Sequence, residues 1–288
     1  MSTKIHTYST EAGELVAQHT TDDLRRKTLQ PVETYSNGVL KYLPLEERTP
    51  VFTPLGIIHA EMVTFYKSGK LKRVFPLNGK LSGYWTQEDE GQLTDPLTID
   101  TPVGILTAKV ISLCFYEEGP LRSITFWPES TVSIESPAGK IKTRVGISFS
   151  REGKILSLEP AEPTPLKTPI GMITAFDYDA VGINGDSNSL VFDGLGNVAA
   201  IRTSLSMITV RHSSGQERAF IPESRESLCS ESEQEIVPMQ ILFDGKGISI
   251  RVTADADSEY FDYENHEIST APFLPQLSNL SKGLICSV

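Results

Sequence analysis

Two turn signals enclose one predicted strand in the stretch 53–69, which reads TPLGIIHAEMVTFYKSG. The first signal is Thr-Pro-x-Gly, in which the proline pre-sets φ and the glycine accepts a conformation that other residues resist. The second is Phe-x-x-x-Gly, which here ends in the Ser-Gly pair typical of hairpin loops. The segment between them has room for a strand about 30 Å long. The stretch therefore predicts one long strand with a chain reversal at each end.

Both turns recur in the same order along most of the chain. The Thr/Ser-Pro-x-Gly turns begin at Thr53, Thr101, Ser136 and Thr168. The Phe-x-x-x-Gly turns begin at Phe65, Phe115, Phe149, Phe192 and Phe243. A return strand is predicted after each of the second turns, and helical patterns are weak throughout. The sequence thus predicts an all-β fold, an elongated antiparallel meander of β-hairpin repeats, and leaves open whether it is bent or stacked into two sheets.

Two segments between turns predict how the strands are buried. Residues 140–149 alternate, with Ile141, Val145 and Ile147 on one side, which predicts a strand with a single buried face. Residues 105–115 are apolar on both sides, which predicts one central strand that is covered on both faces.

Composition divides the chain into five segments. Residues 1–30 form a polar N-terminal segment, and residues 31–220 form the β-hairpin repeat domain. Residues 221–235 are polar and acidic, which predicts a mobile loop or linker, and residues 236–253 a final hairpin. Residues 254–288 form a C-terminal tail, whose apolar end is expected to dock on the domain or on a partner.

The chain has 288 residues and a net charge of −11, from 26 Lys and Arg against 37 Asp and Glu. Such an acidic chain is poorly suited to neutralising phosphates or an anionic membrane, so we expect neither nucleic-acid nor membrane binding. We find no signal-peptide pattern and no long apolar stretch. Three scattered cysteines, Cys114, Cys229 and Cys286, favour a reducing compartment. These features predict a cytoplasmic protein.

The turns in residues 65–71 (FYKSGKL) and 78–85 (NGKLSGYW) resemble those of MORN-type and bacterial antitoxin-type repeat proteins. In those families an aromatic residue precedes an x-Asn-Gly-Lys-Leu turn, and each unit is a β-hairpin. The resemblance is best over residues 34–85 and continues as the Phe-x-x-x-Gly skeleton as far as Val252. The Phe-to-Phe steps of 50, 34, 43 and 51 residues depart from the short regular period of those families. The resemblance implies an extended β-meander with a binding or scaffolding role, and it supplies no catalytic residue.

Sequence motifs for catalysis, metal binding or cofactor binding are absent. The five histidines are isolated, and neither Cys-x-x-Cys, Gly-x-Ser-x-Gly nor Gly-x-Gly-x-x-Gly occurs. We therefore expect no catalytic residue, no cofactor and no metal. One alternative is a calcium site, since Asp177, Asp179 and Asp186 offer oxygen ligands close together in sequence.

Aromatic side chains concentrate in the first half of the chain. Those predicted to form a binding surface are Tyr66, Phe75, Tyr84, Trp85, Tyr116 and Trp127. On a sheet such residues form either a core against a second layer or a recognition surface, and the sequence leaves both open.

Repeated turns and strands without a catalytic motif favour a non-catalytic protein that binds another protein or organises an assembly. One alternative is a carbohydrate-active hydrolase that uses paired carboxylates. Another is an acidic immunity or antitoxin-type partner of a basic protein, because opposite charge accelerates encounter. Edge strands of a long meander also predict a homodimer through the edges or the C-terminal tail, unless residues 1–30 or that tail cap them.

Overall fold

The computed structural model describes residues 5–21, 25–78, 86–178, 180, 185–227 and 230–274, with no description of the side chains of 227 and 230–233. The strands in the first half are β1 Thr7–Thr10, β2 Gly13–Val16, β3 Glu33–Thr34, β4 Leu40–Thr53, β5 Gly56–Phe65, β6 Leu71–Phe75, β7 Leu97–Thr101, β8 Gly104–Ala108, β9 Val110–Phe115, β10 Leu121–Phe126, β11 Val132–Ser136 and β12 Gly139–Phe149. Those in the second half are β13 Ile155–Pro160, β14 Thr164–Thr168, β15 Gly171–Ala175, β16 Leu190–Phe192, β17 Val198–Thr203, β18 Ser206–His212, β19 Glu217–Phe220, β20 Glu223–Ser227, β21 Ser230–Val237, β22 Met239–Phe243, β23 Gly247–Arg251, β24 Glu259–Asp262 and β25 His266–Pro272. One short helix, α1 Gln87–Leu93, completes the described elements, and the predicted all-β fold is confirmed.

One antiparallel sheet of 14 strands runs through the molecule. Its order is β24-β23-β22-β17-β16-β13-β12-β10-β9-β6-β5-β4-β3, with β11 paired to β12 beside this path. The five Phe-x-x-x-Gly turns close five of its hairpins, from β5–β6 to β22–β23. Gly69 and Gly119 adopt φ of +90° and +109° there, which is the conformation that the sequence pattern requires. The predicted return strands therefore lie where the turns place them.

A second layer of short hairpins covers this sheet. The Thr/Ser-Pro-x-Gly turns close β7–β8, β14–β15 and the ends of β4–β5 and β11–β12. In β8 the side chains alternate, with Leu106 and Ala108 buried and Ile105 and Thr107 exposed. The buried side chains of both sets of hairpins belong to one hydrophobic cluster. The core therefore lies between the long sheet and hairpins that fold back over it.

Prolines of the second layer pack on glycines of the next hairpin of the long sheet. The three pairs are Pro54–Gly119, Pro102–Gly153 and Pro137–Gly196. A Cβ on Gly153 would lie 2.9 Å from Pro102 Cβ, so only glycine fits without a shift of one layer against the other. The two turn motifs are thus coupled in space as well as in sequence.

Two strands differ from their prediction, and both differences occur where the chain passes from one layer to the other. The segment 105–115, predicted as one central strand, is divided at Lys109 into β8 in the second layer and β9 in the long sheet. The segment 140–149 stays continuous as β12, but Val145 adopts φ of +55° and the pairing register shifts beside it. Val145 is half-buried, so the predicted single buried face does not continue through it.

Polar segments outside the predicted repeat domain also form strands. Residues 1–30 contain β1 and β2, in which Leu15 is fully buried. The predicted acidic loop or linker, residues 221–235, instead pairs as β20–β21, with an ion pair of 3.0 Å between Arg225 and Glu235 across the hairpin. Polar cross-strand pairs leave no apolar alternation, and this is why the sequence pattern did not indicate a hairpin.

The described part of the C-terminal tail, residues 254–274, also joins the fold, while its apolar end lies outside the described residues. Its strand β24 ends the long sheet beside β23, and β25 pairs with β18. At the other end of the long sheet lies β3, which has only two residues. Short edge strands limit edge-to-edge pairing, while the homodimer stays a prediction. Among the described residues no helix has both the length and the apolar character needed to cross a membrane.

Candidate ligand-binding groove

Tyrosines in the turns of the first hairpins brace each hairpin against the next. The Tyr66 hydroxyl donates to the carbonyl oxygen of Phe115 at 2.7 Å, and the Tyr116 hydroxyl donates to that of Phe149 at 2.8 Å. Tyr35 makes the equivalent bond one hairpin earlier, at 2.9 Å. Three half-buried rings are thereby held at fixed places along the sheet.

We expect Tyr116→Phe to lower the free energy of unfolding by about 1 kcal/mol, because it removes a hydrogen-bond donor and keeps the ring. Urea denaturation followed by circular dichroism measures this loss. Tyr8→Phe is the matched control, since the described residues give the Tyr8 hydroxyl no hydrogen bond, and its expected loss is below about 0.5 kcal/mol. Equal stability of parent and Tyr116→Phe would contradict the bracing role.

Basic side chains lie over two of the braced rings. Lys72 Nζ is 5.5 Å from the centroid of the Tyr66 ring. The guanidinium carbons of Arg122 and Arg151 are 5.8 Å and 4.6 Å from the centroid of the Tyr116 ring. These separations lie within the range of cation–π attraction. Aromatic and basic groups therefore alternate along this end of the sheet.

The cations occupy β-bulges at equivalent places in three hairpins. In each hairpin the pairing register skips one residue, which has no partner on the facing strand. The skipped residue is Lys41 in β3–β4, Lys72 in β5–β6 and Arg122 in β9–β10. A bulge inserts an unpaired residue and re-aims its side chain. Equivalent bulges in neighbouring hairpins therefore present the three cations as a row.

These cations line a groove with a volume of about 530 Å³, here called the cationic groove. Its basic residues are Lys41, Lys72, Arg73 and Arg122, and its acidic ones are Glu33 and Asp186. Half-buried Phe75 and Tyr42 also line it. The groove is therefore locally cationic within a chain of net charge −11.

Ion pairs use only part of this positive charge. Lys41 pairs with Glu33 at 2.7 Å, and Arg73 pairs with Asp186 at 2.9 Å. Arg122 reaches Asp186 only at 3.8 Å. In the described part of the chain, Lys72 has no carboxylate within salt-bridge distance. Lys72 and Arg122 are therefore the cations best able to accept an external anion.

The protonation states suit such a site. Burial raises the pKa of Tyr66, which keeps its hydroxyl a hydrogen-bond donor at neutral pH. Burial disfavours the charge of Arg122, but the nearby Asp186 carboxylate, together with Cys114 and Tyr66, more than compensates and raises the pKa of the guanidinium. The Arg122 guanidinium therefore keeps its charge across the physiological range.

The structure brings together three of the six aromatic residues predicted from the sequence. Phe75 lines the cationic groove, and Tyr66 and Tyr116 lie under its cations. Trp127 is apart from them in a second cleft, where its Nε1 atom packs against Gly91 of α1. Tyr84 and Trp85 lie outside the described residues. A binding role for these aromatic residues stays a prediction.

The basic residues were missed by the sequence reasoning, although a signal for them was present. Each follows a turn glycine by three residues, so that Tyr-x-x-Gly-x-x-Lys/Arg occurs in residues 35–41, 66–72 and 116–122. The fourth turn has Ser150 in place of the tyrosine and Leu156 in place of the Lys or Arg, so the motif is not continued there. The groove thus coincides with the three hairpins that carry the complete motif.

The possible calcium ligands are engaged in other ways. Asp186 pairs with Arg73, Asp177 is buried, and Asp179 lies outside the described residues. Within the described ranges, no group of three His, Cys, Asp or Glu side chains could hold a metal ion. Of the cysteines, Cys114 is buried with a free thiol, while Cys229 and Cys286 are outside the description.

Comparison with known proteins found no matching family model, no similar characterised protein and no similar solved structure.

Proposed function

We propose that this chain is a non-catalytic β-repeat protein that binds an acidic segment of a protein partner in the cationic groove. The observation that carries the proposal is the threefold recurrence of Tyr-x-x-Gly-x-x-Lys/Arg in residues 35–41, 66–72 and 116–122. Each copy supplies a braced ring and a cation at the bulge beside it. A row of cations in an otherwise acidic chain complements a partner that presents carboxylates.

The chemistry of the groove favours binding of an extended polar segment. Arg122 offers a planar guanidinium that can hold a carboxylate through two hydrogen bonds, and Lys72 offers a compact charge. Tyr42 and Phe75 provide ring surface for the apolar part of a ligand. The MORN-like resemblance, which implies a binding or scaffolding role, agrees with this proposal, and we propose a cytoplasmic location for the protein.

The test compares oppositely charged peptides by fluorescence anisotropy. We expect a labelled oligoglutamate peptide to bind, with an affinity that falls as salt is added. The variant Lys41→Gln/Lys72→Gln/Arg122→Gln should weaken binding about tenfold or more, because it removes the row of cations. The control variant Lys67→Gln/Lys140→Gln/Lys142→Gln changes the net charge equally at exposed positions and should bind like the parent.

Other outcomes would contradict the proposal. Equal weakening by both triple variants would mean that only net charge matters. Binding of an oligolysine peptide in place of oligoglutamate would favour the alternative of an acidic partner for a basic protein. Tighter binding of a single-stranded oligonucleotide than of either peptide would favour a nucleic-acid ligand.

A further inference from the structure

The cations of the groove are spaced by a fixed number of strands. Lys41 lies on β4, Lys72 on β6 and Arg122 on β10. In the order of the long sheet, β5 separates the first two of these strands and β9 separates the last two. Neighbouring strands lie about 4.8 Å apart, so successive cations project from backbones about 10 Å apart.

The bulges place the three cations at equivalent positions along their strands, so the side chains are spaced like the strands. In each hairpin the cation is the residue passed over by the pairing, directly before Tyr42, Arg73 or Ser123. Those three residues lie in one line across the sheet, because Tyr42 pairs with Thr64, Thr64 with Arg73, Arg73 with Cys114, and Cys114 with Ser123. The cations therefore form a straight row that crosses the strands, in equivalent local geometry.

A polyproline II segment carries the matching repeat. It has three residues per turn and rises about 3.1 Å per residue, so every third side chain points the same way at intervals of about 9.3 Å. An extended β-strand places same-face side chains only about 7 Å apart, and an α-helix places i and i+4 about 6 Å apart. An α-helix reaches a similar interval only between residues seven apart, about 10.5 Å. Polyproline II is therefore the conformation whose nearest same-face side chains match the interval of the cations.

Resting on the proposed function, we infer that the cationic groove recognises an acidic segment in the polyproline II conformation with a carboxylate at every third residue. The segment lies across the strands, and its carboxylates meet Lys41, Lys72 and Arg122 in turn. The rings of Tyr42 and Phe75 lie in the same groove and suit proline side chains between the carboxylates.

The experiment varies spacing at constant charge. Three labelled peptides with three glutamates each, separated by one, two or three prolines, are titrated against the full chain by fluorescence anisotropy. We expect the peptide with two intervening prolines to bind about tenfold more tightly than the other two, since it alone aligns all three carboxylates. In the variant Lys72→Gln this preference should fall to about threefold or less, because the central contact is lost and only the two outer cations still match the spacing.

The outcomes separate the inference from the proposed function. Equal affinity of the three peptides for the parent would overturn the inference and leave the binding of acidic segments standing. Failure of all three peptides and of oligoglutamate to bind would overturn both. A spacing preference that is undiminished in Lys72→Gln would also overturn the inference. Circular dichroism of the variant, compared with that of the parent, confirms that its fold is unchanged before binding is measured.

Discussion

Arg25→Met is expected to lower the free energy of unfolding by about 3–5 kcal/mol, because it removes the guanidinium that two buried carboxylates share. The Arg25 guanidinium donates to Glu61 at 3.1 and 2.8 Å and to Glu90 at 3.0 and 2.8 Å. The side chains of the three residues are only 12, 6 and 5% exposed. Burial disfavours the charge of Arg25, but the hydrogen bonds to both carboxylates more than compensate and raise its pKa.

The position of this cluster explains the size of the effect. Glu61 lies on β5 and Glu90 in α1, so Arg25 joins the N-terminal segment to a strand and to the helix. The backbone N–H of Asn78 also donates to Glu61, at 2.9 Å, and holds that carboxylate in place. Loss of Arg25 therefore leaves charges that cannot move into solvent without local unfolding.

Chemical denaturation of a matched series measures this effect. Lys70→Met is the control, because Lys70 and Glu11 form an ion pair of similar length, 2.8 Å, with side chains 50 and 74% exposed. Such an exposed pair is worth less than about 1 kcal/mol. The triple variant Arg25→Met/Glu61→Gln/Glu90→Gln should recover most of the lost stability, because neutral amides tolerate burial better than carboxylates. Equal losses for Arg25→Met and Lys70→Met would show that the cluster is not desolvated.

Local turn chemistry made the meander predictable from the sequence. The positions at which the chain passes from one layer to the other were not predictable. Proline restricts φ and glycine permits a positive φ, and both effects act within a few residues. The two turn motifs therefore located the chain reversals at the two ends of the predicted strands. The break at Lys109 and the positive φ of Val145 depend on packing against a second layer, and a strand pattern contains no information about that layer. Helix α1 did have a local signal, the capping box of Thr86 and Asp89, but its seven residues show no apolar stripe.

The candidate groove was predictable in part. A binding surface that includes Tyr66, Phe75 and Tyr116 was predicted from the sequence. The structure places all three residues beside the cations of the groove. The cations themselves follow from bulges, which shift the pairing by one residue and are invisible to a simple alternation. Buried ionisable groups were not predictable, because distant segments provide their burial.

Glu159→Gln is expected to stabilise the protein increasingly as the pH rises from 4.5 to 7 and to leave its stability nearly unchanged at pH 4. Glu159 is 2% exposed on β13, and one of its oxygens accepts a hydrogen bond of 2.7 Å from the backbone N–H of Ser189. The other oxygen has no hydrogen-bond partner among the described residues. Burial raises the pKa of this carboxyl group to about 7, and the nearby Asp177 carboxylate adds to the rise.

The sign of the effect follows from the two pKa values of Glu159. The value in the folded protein, about 7, exceeds the ordinary value of 4.5 that applies after unfolding, so the folded state holds its proton more tightly. The contribution of Glu159 is therefore fully favourable below pH 4.5 and is lost as the pH rises through 7. At pH 8 the buried carboxylate costs about 3 kcal/mol relative to a group that stays neutral. Glutamine is neutral at every pH and can still accept the hydrogen bond from Ser189.

Thermal unfolding between pH 4 and pH 8 tests this expectation as a difference between variant and parent. Titrating groups other than Asp177 affect both proteins equally, so the difference isolates Glu159 together with its interaction with Asp177. It should be near zero at pH 4, about 1 kcal/mol at pH 5 and about 3 kcal/mol in favour of Glu159→Gln at pH 8. The control Glu135→Gln, at an exposed position of β11, should show no such growth. A difference that stays constant over this range would mean that Glu159 titrates in the folded protein as it does in the unfolded chain, and that water reaches its carboxylate.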